Sequence, residues 1–103
     1  MNFNNKGYST QGYISEIPLV VQLMISSMLH KRIEEKKEVD YLQVFKLSRE
    51  QNEQGIICQK IVHKQEQPPM EDVCYLITDE AVNETVFCID DETHHTFLLS
   101  REY

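Results

Sequence analysis

The stretch CIDDETHHTF, residues 88–97, gathers more groups able to do chemistry than any other part of the chain. Two carboxylates, Asp90 and Asp91, precede two imidazoles, His94 and His95, and all four are candidate ligands for a divalent transition metal. Adjacent residues of a strand point to opposite faces, so only one imidazole can join the carboxylates unless the loop curls around the ion. Asp and Thr also hydrogen-bond their own backbone in turns. The sequence therefore favours a hairpin turn, with the four residues as weak metal candidates and no cofactor.

The cysteines Cys58, Cys74 and Cys88 are candidate nucleophiles. Cys58 and His63 are five residues apart in one predicted strand, so they face opposite sides and cannot form a nucleophile and base pair. A pairing of Cys58 with a histidine of the loop stays geometrically open. The contexts VCYL and VFCI are typical of small core residues, and the spacing fits neither a disulfide framework nor a zinc site. We predict reduced, largely buried thiols and no catalytic residue.

The segment KIVHKQEQPP is the most polar of the predicted strands. Its residues Lys60, His63, Lys64 and Glu66 form a candidate surface for an anionic ligand, a peptide or a protein partner. A solvated strand end before two prolines explains the same residues. The chain has no Gly-rich phosphate loop, no Gly-x-Ser-x-Gly and no His-Glu-x-x-His.

One helix is predicted near the start of the chain. The segment GYSTQGYI, residues 7–14, has the composition of a short strand, and Ser15 with Pro18 then opens a helix that extends to about Lys37. Apolar residues surround most of this helix and leave only a narrow polar stripe around Gln22. Such a helix is predicted to be buried on more than one side.

After the helix the period of the apolar residues becomes that of strands. Strands are predicted at 40–48, 56–67, 72–78, 84–90 and 95–100. The first two of these are expected to pair with each other, and the third with the fourth around the loop 79–83. The prediction is one α+β domain over residues 1–103, in which one N-terminal helix packs on a curved, mainly antiparallel sheet of about six strands.

Composition excludes several classes of function. The formal charge of −7 and a pI near 5.0 disfavour sequence-independent binding to nucleic acid, and 41% apolar residues are typical of a folded domain. The longest apolar run, IPLVVQLMISSML, is short and interrupted, and the first residues lack the pattern of a signal peptide. We expect no membrane span and a location in the cytoplasm.

The segments EIPLVVQL, DYLQVFKL, KIVHKQEQPP, FCIDD and LLSREY also carry a resemblance. With them the chain resembles a family of short uncharacterised proteins of Gram-positive bacteria and their phages, grouped as a domain of unknown function. The resemblance spans nearly the whole chain and implies a small single-domain α+β protein. It brings no activity, cofactor or catalytic residue, and the doublet His94-His95 is not part of the family's pattern.

These observations favour a binding protein over an enzyme. We expect a small acidic protein that acts through protein contacts, as a regulatory or phage-related accessory factor. The alternative is a small-molecule or peptide-binding module, or even a hydrolase, that uses the strand around His63 and the loop from Asp90 to His95. One helix shields only two or three strands, yet both faces of the strands carry apolar residues, so we predict a homodimer. A sheet curled into a partial barrel is the other way to bury those residues.

Overall fold

A computed structural model describes residues 3–35 and 38–103 of the chain. Its elements are β1 (Lys6–Ser9), α1 (Gln11–Glu16), α2 (Leu19–Glu34), β2 (Leu42–Gln51), β3 (Ile57–Gln65), β4 (Met70–Ile77), β5 (Glu84–Asp90) and β6 (His94–Leu99). A short 3-10 turn follows β6. The predicted α+β class, with an N-terminal helix on a six-stranded sheet, is confirmed.

The sheet is open, in the order β1-β6-β5-β2-β3-β4, and among the described strands only β1 and β6 run parallel. The predicted pairing of β2 with β3 is confirmed, whereas the predicted pairing of β4 with β5 is wrong, because β4 pairs with β3 and β5 with β2. The loop after β4 carries the chain past the end of the β2–β3 hairpin. Arg49 of β2 holds this loop, as its backbone N–H donates to Asn83 Oδ1 at 2.9 Å and its guanidinium to the Asp79 carbonyl at 3.1 Å.

The N-terminal segment differs from the predicted single strand over residues 7–14. Strand β1 ends at Ser9, and Thr10 starts α1 by accepting a hydrogen bond from the Tyr13 backbone N–H on its side chain. Helix α2 begins after Pro18, which is its N-cap, rather than at Ser15. It ends at Glu34, and the predicted end near Lys37 lies outside the described residues.

Among the described residues of this single chain, helix α2 is buried on one side, and its burial on more than one side stays a prediction. Val21, Ile25 and Leu29 face the sheet, whereas Leu19 and Leu23 are 69% and 63% exposed. The molecule measures 44 × 28 × 19 Å. Its smallest dimension fits one sheet and one helix layer, since packed layers lie about 10 Å apart. No second layer exists among the described residues to cover the remaining sides of α2.

The two faces of the sheet therefore differ. We call the side that α2 covers the inner face and the opposite side the open face. Side chains alternate between them along each strand, so Phe45 and its in-register neighbour Val86 are fully buried on the inner face, while Val44 and Phe87 lie on the open face. The inner face and the helices share one apolar core. Within residues 3–35 and 38–103, no helix covers the open face apart from the short 3-10 turn after β6.

Candidate functional site

The open face carries most of the lysines of the sheet. Cross-strand register assigns to this face four lysines and two glutamates, namely Lys6, Lys46, Lys60, Lys64, Glu50 and Glu71. Lys64 forms an exposed ion pair with Glu71, with an N–O distance of 3.6 Å. The formal charge of the whole chain is −7, so its acidic groups are concentrated elsewhere. The open face is thus a locally basic surface on an acidic protein.

A shallow pocket of about 210 Å³ lies on this face between two of these lysines. Lys46 of β2 and Lys64 of β3 flank it, and Leu42, Val44 and Glu66 complete most of its wall. Lys46 and Lys64 are not direct cross-strand partners but diagonal ones, since Lys64 pairs with Val44. A carboxylate that entered here would meet the ammonium groups of Lys46 and Lys64, although Lys64 is paired with Glu71 and the Glu66 carboxylate also lines the pocket.

Apolar side chains dominate the end of the open face at β4. Val73, Tyr75 and Ile77 are 50%, 59% and 77% exposed, and all three point to the open face. Lys60 on the neighbouring strand places its Nζ 5.9 Å from the centre of the Tyr75 ring, a cation–π contact. A wider open groove of about 440 Å³ runs past Tyr75, Ile77 and Cys58.

The structure does not bring the sequence-predicted surface together. Lys60 and Lys64 lie on the open face, Glu66 is exposed just beyond the end of β3, and His63 is fully buried on the inner face. The reason is the odd separation of His63 from the two lysines in an extended strand. Cys58 is likewise on the open face, so it and His63 lie on opposite sides of the sheet, as their spacing predicts.

The inner face holds a buried polar cluster that sequence reasoning missed. Arg32 of α2 is 1% exposed and donates from Nη2 to Asp72 Oδ2 at 3.0 Å. His63, the cross-strand partner of Asp72, stacks on Phe45 with ring centres 4.2 Å apart and bonds Gln43 Oε1 through Nε2 at 2.7 Å. Arg32 lies in the last turn of α2, and its sequence context did not single it out as a buried residue. Its burial could have been predicted from its position, because it lies seven residues after Ile25 and therefore on the same face of the helix.

Electrostatics in this cluster favour one protonation state. Burial, together with the Arg32 charge, lowers the pKa of His63 to about 3, so its imidazole is neutral at pH 7. The hydrogen bond from Arg32 holds the pKa of Asp72 below its usual range. Arg32 Nε and Nη1 and His63 Nδ1 have no hydrogen-bond partner among the described residues. The cluster ties α2 to β3 and β4; Arg32 and His63 are buried, whereas Asp72 lines a surface groove.

The loop from Asp90 to His95 forms the predicted turn. Asp91 Oδ1 accepts hydrogen bonds from the backbone N–H groups of Thr93 and His94 at 3.0 and 2.9 Å. Such bonds from an Asp side chain to the nearby backbone are expected in a turn. The two imidazoles point apart, because His94 packs edge-on against Tyr8 while His95 bonds Asn5 Oδ1 through Nδ1 at 2.7 Å. Within the described ranges, no group of three or more Asp, Glu, His or Cys side chains is arranged to hold a metal ion.

Asp90 has a different role from its neighbour. It is 3% exposed and accepts from the Phe3 backbone N–H at 3.0 Å and from Asn5 Nδ2 at 2.8 Å. Burial would raise its pKa, but the hydrogen bonds from Asn5, Glu92 and Phe3 outweigh burial and lower it. Asp90 therefore fastens the N-terminal segment to the far end of β5. No local pattern around Asp90 indicated this contact, since its partners lie more than 80 residues away.

The three thiols are free and differ in burial. Cys88 is fully buried on the inner face, and burial raises the pKa of its thiol. Cys74 and Cys58 are half-buried. A thiol with a raised pKa is a poor nucleophile at neutral pH, so Cys88 is a core residue.

Comparison with known proteins decides the family. Residues 6–102 match the family described as "Staphylococcal protein of unknown function" (DUF960). The chain belongs to this family. The resemblance found in the sequence is confirmed, and the family's name assigns no activity. The comparison with curated proteins gave no match.

A solved structure shares the fold. It is the crystal structure of a protein of unknown function from Enterococcus faecalis, with a TM-score of 0.77 and 19% sequence identity over 100% of this chain and 96% of that chain. At this identity the likeness concerns the fold alone. Neither the family's description nor that of the solved structure names a ligand. These two comparisons give no support to the alternative of a small-molecule-binding module or hydrolase. None of the described helices is long and apolar enough to cross a membrane.

Proposed function

We propose that this protein is a non-catalytic binding protein, and that it holds the acidic surface of a partner protein against the open face of its sheet. The observation that carries the proposal is the combination of an uncovered sheet face and a local excess of lysine on a chain of charge −7. Net charge alone gives no reason for lysines to collect on one face. Complementary charge across an interface accounts for that distribution, since it directs orientation and partner choice.

The chemistry of the face fits a protein rather than a small molecule. Its pockets are shallow and open, and apolar side chains such as Val44 and Val62 lie between the lysines. Protein interfaces combine an apolar centre with a polar rim in this way. The pocket between Lys46 and Lys64 is the point where an acidic side chain of the partner would enter.

The proposal also includes the compartment of the cell in which the protein acts. The thiols of Cys58, Cys74 and Cys88 are all free, which supports a reducing compartment such as the cytoplasm. A regulatory or accessory role in a bacterial cell or its phage is consistent with an interaction that needs no catalysis.

Charge reversal on the open face tests the proposal. A triple variant, Lys46→Glu, Lys60→Glu and Lys64→Glu, is compared with the parent protein as bait in lysate of its native host. The triple variant is expected to lose the captured partner, and raised salt should weaken the parent's interaction because exposed charges are screened. The recovered partner should carry acidic residues at the contact.

The matched control reverses charge on the other side of the molecule. Lys31 of α2 lines a groove on the inner side together with Asp72, and Lys31→Glu should leave the captured partner in place. Equal capture by the parent and the triple variant, with both folded by circular dichroism, would contradict a lysine-dependent docking face. Loss of the captured partner with Lys31→Glu but not with the triple variant would indicate that the interface lies on α2.

A further inference from the structure

Strand β4 is an unprotected edge of the sheet. It is eight residues long, MEDVCYLI; its two charged residues, Glu71 and Asp72, lie near its start, and residues 73–77 contain no charged residue and no proline. On its outer side it pairs with no strand in the part of the chain that the structure describes. The opposite edge, β1, has only four residues. Long edge strands with apolar side chains pair readily with other chains unless they are covered, so β4 needs a partner strand.

We infer that β4 pairs with β4 of a second copy of this chain, antiparallel about a two-fold axis at Tyr75, so that two sheets become one continuous sheet of twelve strands. The occupant is a second copy because the strand is complementary to itself in this register. Val73 then lies opposite the partner's Ile77, Cys74 opposite the partner's Leu76, and Tyr75 opposite the partner's Tyr75. Each of the five central residues meets an apolar or thiol neighbour, and such cross-strand pairs stabilise a ladder.

Neighbouring registers are worse. An axis at Cys74 places the Glu71 carboxylate opposite Ile77, and an axis at Leu76 places the Asp79 carboxylate opposite an apolar side chain. The preferred register has one unfavourable pair, Glu71 opposite the partner's Asp79. That pair lies beyond the five-residue ladder, and Glu71 is already ion-paired with Lys64.

The helices leave room for this arrangement. Helix α2 packs over β3 and is tied to β4 by the Arg32–Asp72 ion pair. The two copies of β3 would be three strand spacings apart, roughly 14 Å, while packed helices need about 8–10 Å between their axes. Both helices lie on the inner face and do not collide. The open faces of the two copies continue into each other, so the dimer doubles the surface proposed to bind the partner.

The expected dimer is weak and reversible. A ladder of five residues per strand buries less than the roughly 1,200–2,000 Å² of a standard stable interface. Light scattering on a size-exclusion column should therefore give a mass that rises with concentration from 12.2 kDa towards twice that value. Tyr75→Lys, which sets two ammonium groups against each other on the axis, should keep the mass at the monomer value. The control Tyr8→Lys, on the other edge strand and of similar exposure, should behave like the parent.

Disulfide trapping tests the register on the purified chain, independently of any partner on the open face. In a background with Cys58→Ser and Cys74→Ala, Tyr75→Cys should form an intermolecular disulfide under mild oxidation. Directly opposed residues lie about 4.5–5.5 Å apart between Cα atoms, within disulfide reach. Val73→Cys should form no intermolecular disulfide, because in the dimer the partner's Val73→Cys position lies four residues away along the ladder.

Three outcomes overturn the inference. The first is a parent mass of 12.2 kDa at every micromolar concentration together with no trapping of the Tyr75 variant. The second is efficient trapping of Val73→Cys but not Tyr75→Cys, which places the axis elsewhere. The third is a dimer whose mass Tyr75→Lys leaves unchanged, which removes β4 from the interface. Circular dichroism of each variant confirms that it is folded, and trapping supplies the answer if Tyr75→Lys does not fold.

Discussion

Asp72→Asn should destabilise the protein far more than its exposed position suggests. The substitution keeps the shape of the side chain but removes the charge that balances Arg32, whose side chain is 0% exposed. Breaking a buried ion pair costs about 3–5 kcal/mol, and since the Asp72 side chain is 39% exposed, water and the retained amide oxygen reduce the expected loss to about 2–3 kcal/mol. For a domain of this size, such a loss lowers the melting temperature by about 10–20 °C.

The neighbouring residue supplies the control. Glu71→Gln removes an ion pair with Lys64 in which both side chains are about half exposed, and such a pair contributes at most about 1 kcal/mol. Urea unfolding at pH 7, followed by circular dichroism, compares both variants with the parent. Because the hydrogen bond from Arg32 lowers the pKa of Asp72, its stabilisation is complete above the unfolded-state pKa and is lost as the pH falls through the folded-state value. A loss for Asp72→Asn no larger than for Glu71→Gln would refute a buried, charge-dependent contact.

Three other groups give further predictions. His63 has a pKa of about 3 in the folded state and near 6.5 in the unfolded state, so between these two pH values the unfolded state binds more protons than the folded state. The free energy of unfolding should therefore fall as the pH is lowered from about 6.5 towards 3. His63→Gln should flatten this pH dependence, as measured by urea titrations at several pH values. Asp90→Ala should lower the free energy of unfolding by about 2–3 kcal/mol and expose the N-terminal segment to proteolysis, whereas Asp91→Ala, at an exposed turn, should cost much less; equal losses would contradict the different roles of the two carboxylates. In native protein, Cys88 should react with a thiol reagent far more slowly than Cys58, as mass spectrometry of labelled peptides can show, and fast labelling of Cys88 at neutral pH would contradict its burial.

Local patterns predicted the elements well where one face of a strand is buried. Strand β5 has the bounds expected from ETVFCID, because polar residues flank its short apolar run VFCI on both sides. The segment from Gln11 to Tyr13 was expected to extend a strand and is helical instead. Its composition is ambiguous, and the Thr10 cap together with burial of Tyr13 decides the conformation. Here tertiary contact overrides local preference.

Long-range partners could not be predicted from local patterns. Strand β5 was expected beside β4 because they are consecutive, yet the Arg49 contacts guide the chain across the β2–β3 hairpin. The Arg32–Asp72 pair joins residues 40 apart. Of the predicted surface, Lys60 and Lys64 share the open face, whereas His63 is on the other side because of its odd spacing. The lysine-rich open face could not be predicted from the sequence, because only the register of β2 and β3 shows that Lys46 lies on the same face as the lysines of β3.

Site-specific photocrosslinking in the native host tests whether the partner protein binds to the open face. A photoreactive residue replaces Val44, in the centre of the open face, or Leu23, on the exposed side of α2. A crosslink to a partner protein is expected from position 44 and none from position 23, and the charge reversals at Lys46, Lys60 and Lys64 should abolish the crosslink. A crosslink from position 23 and none from position 44 would contradict binding to the open face.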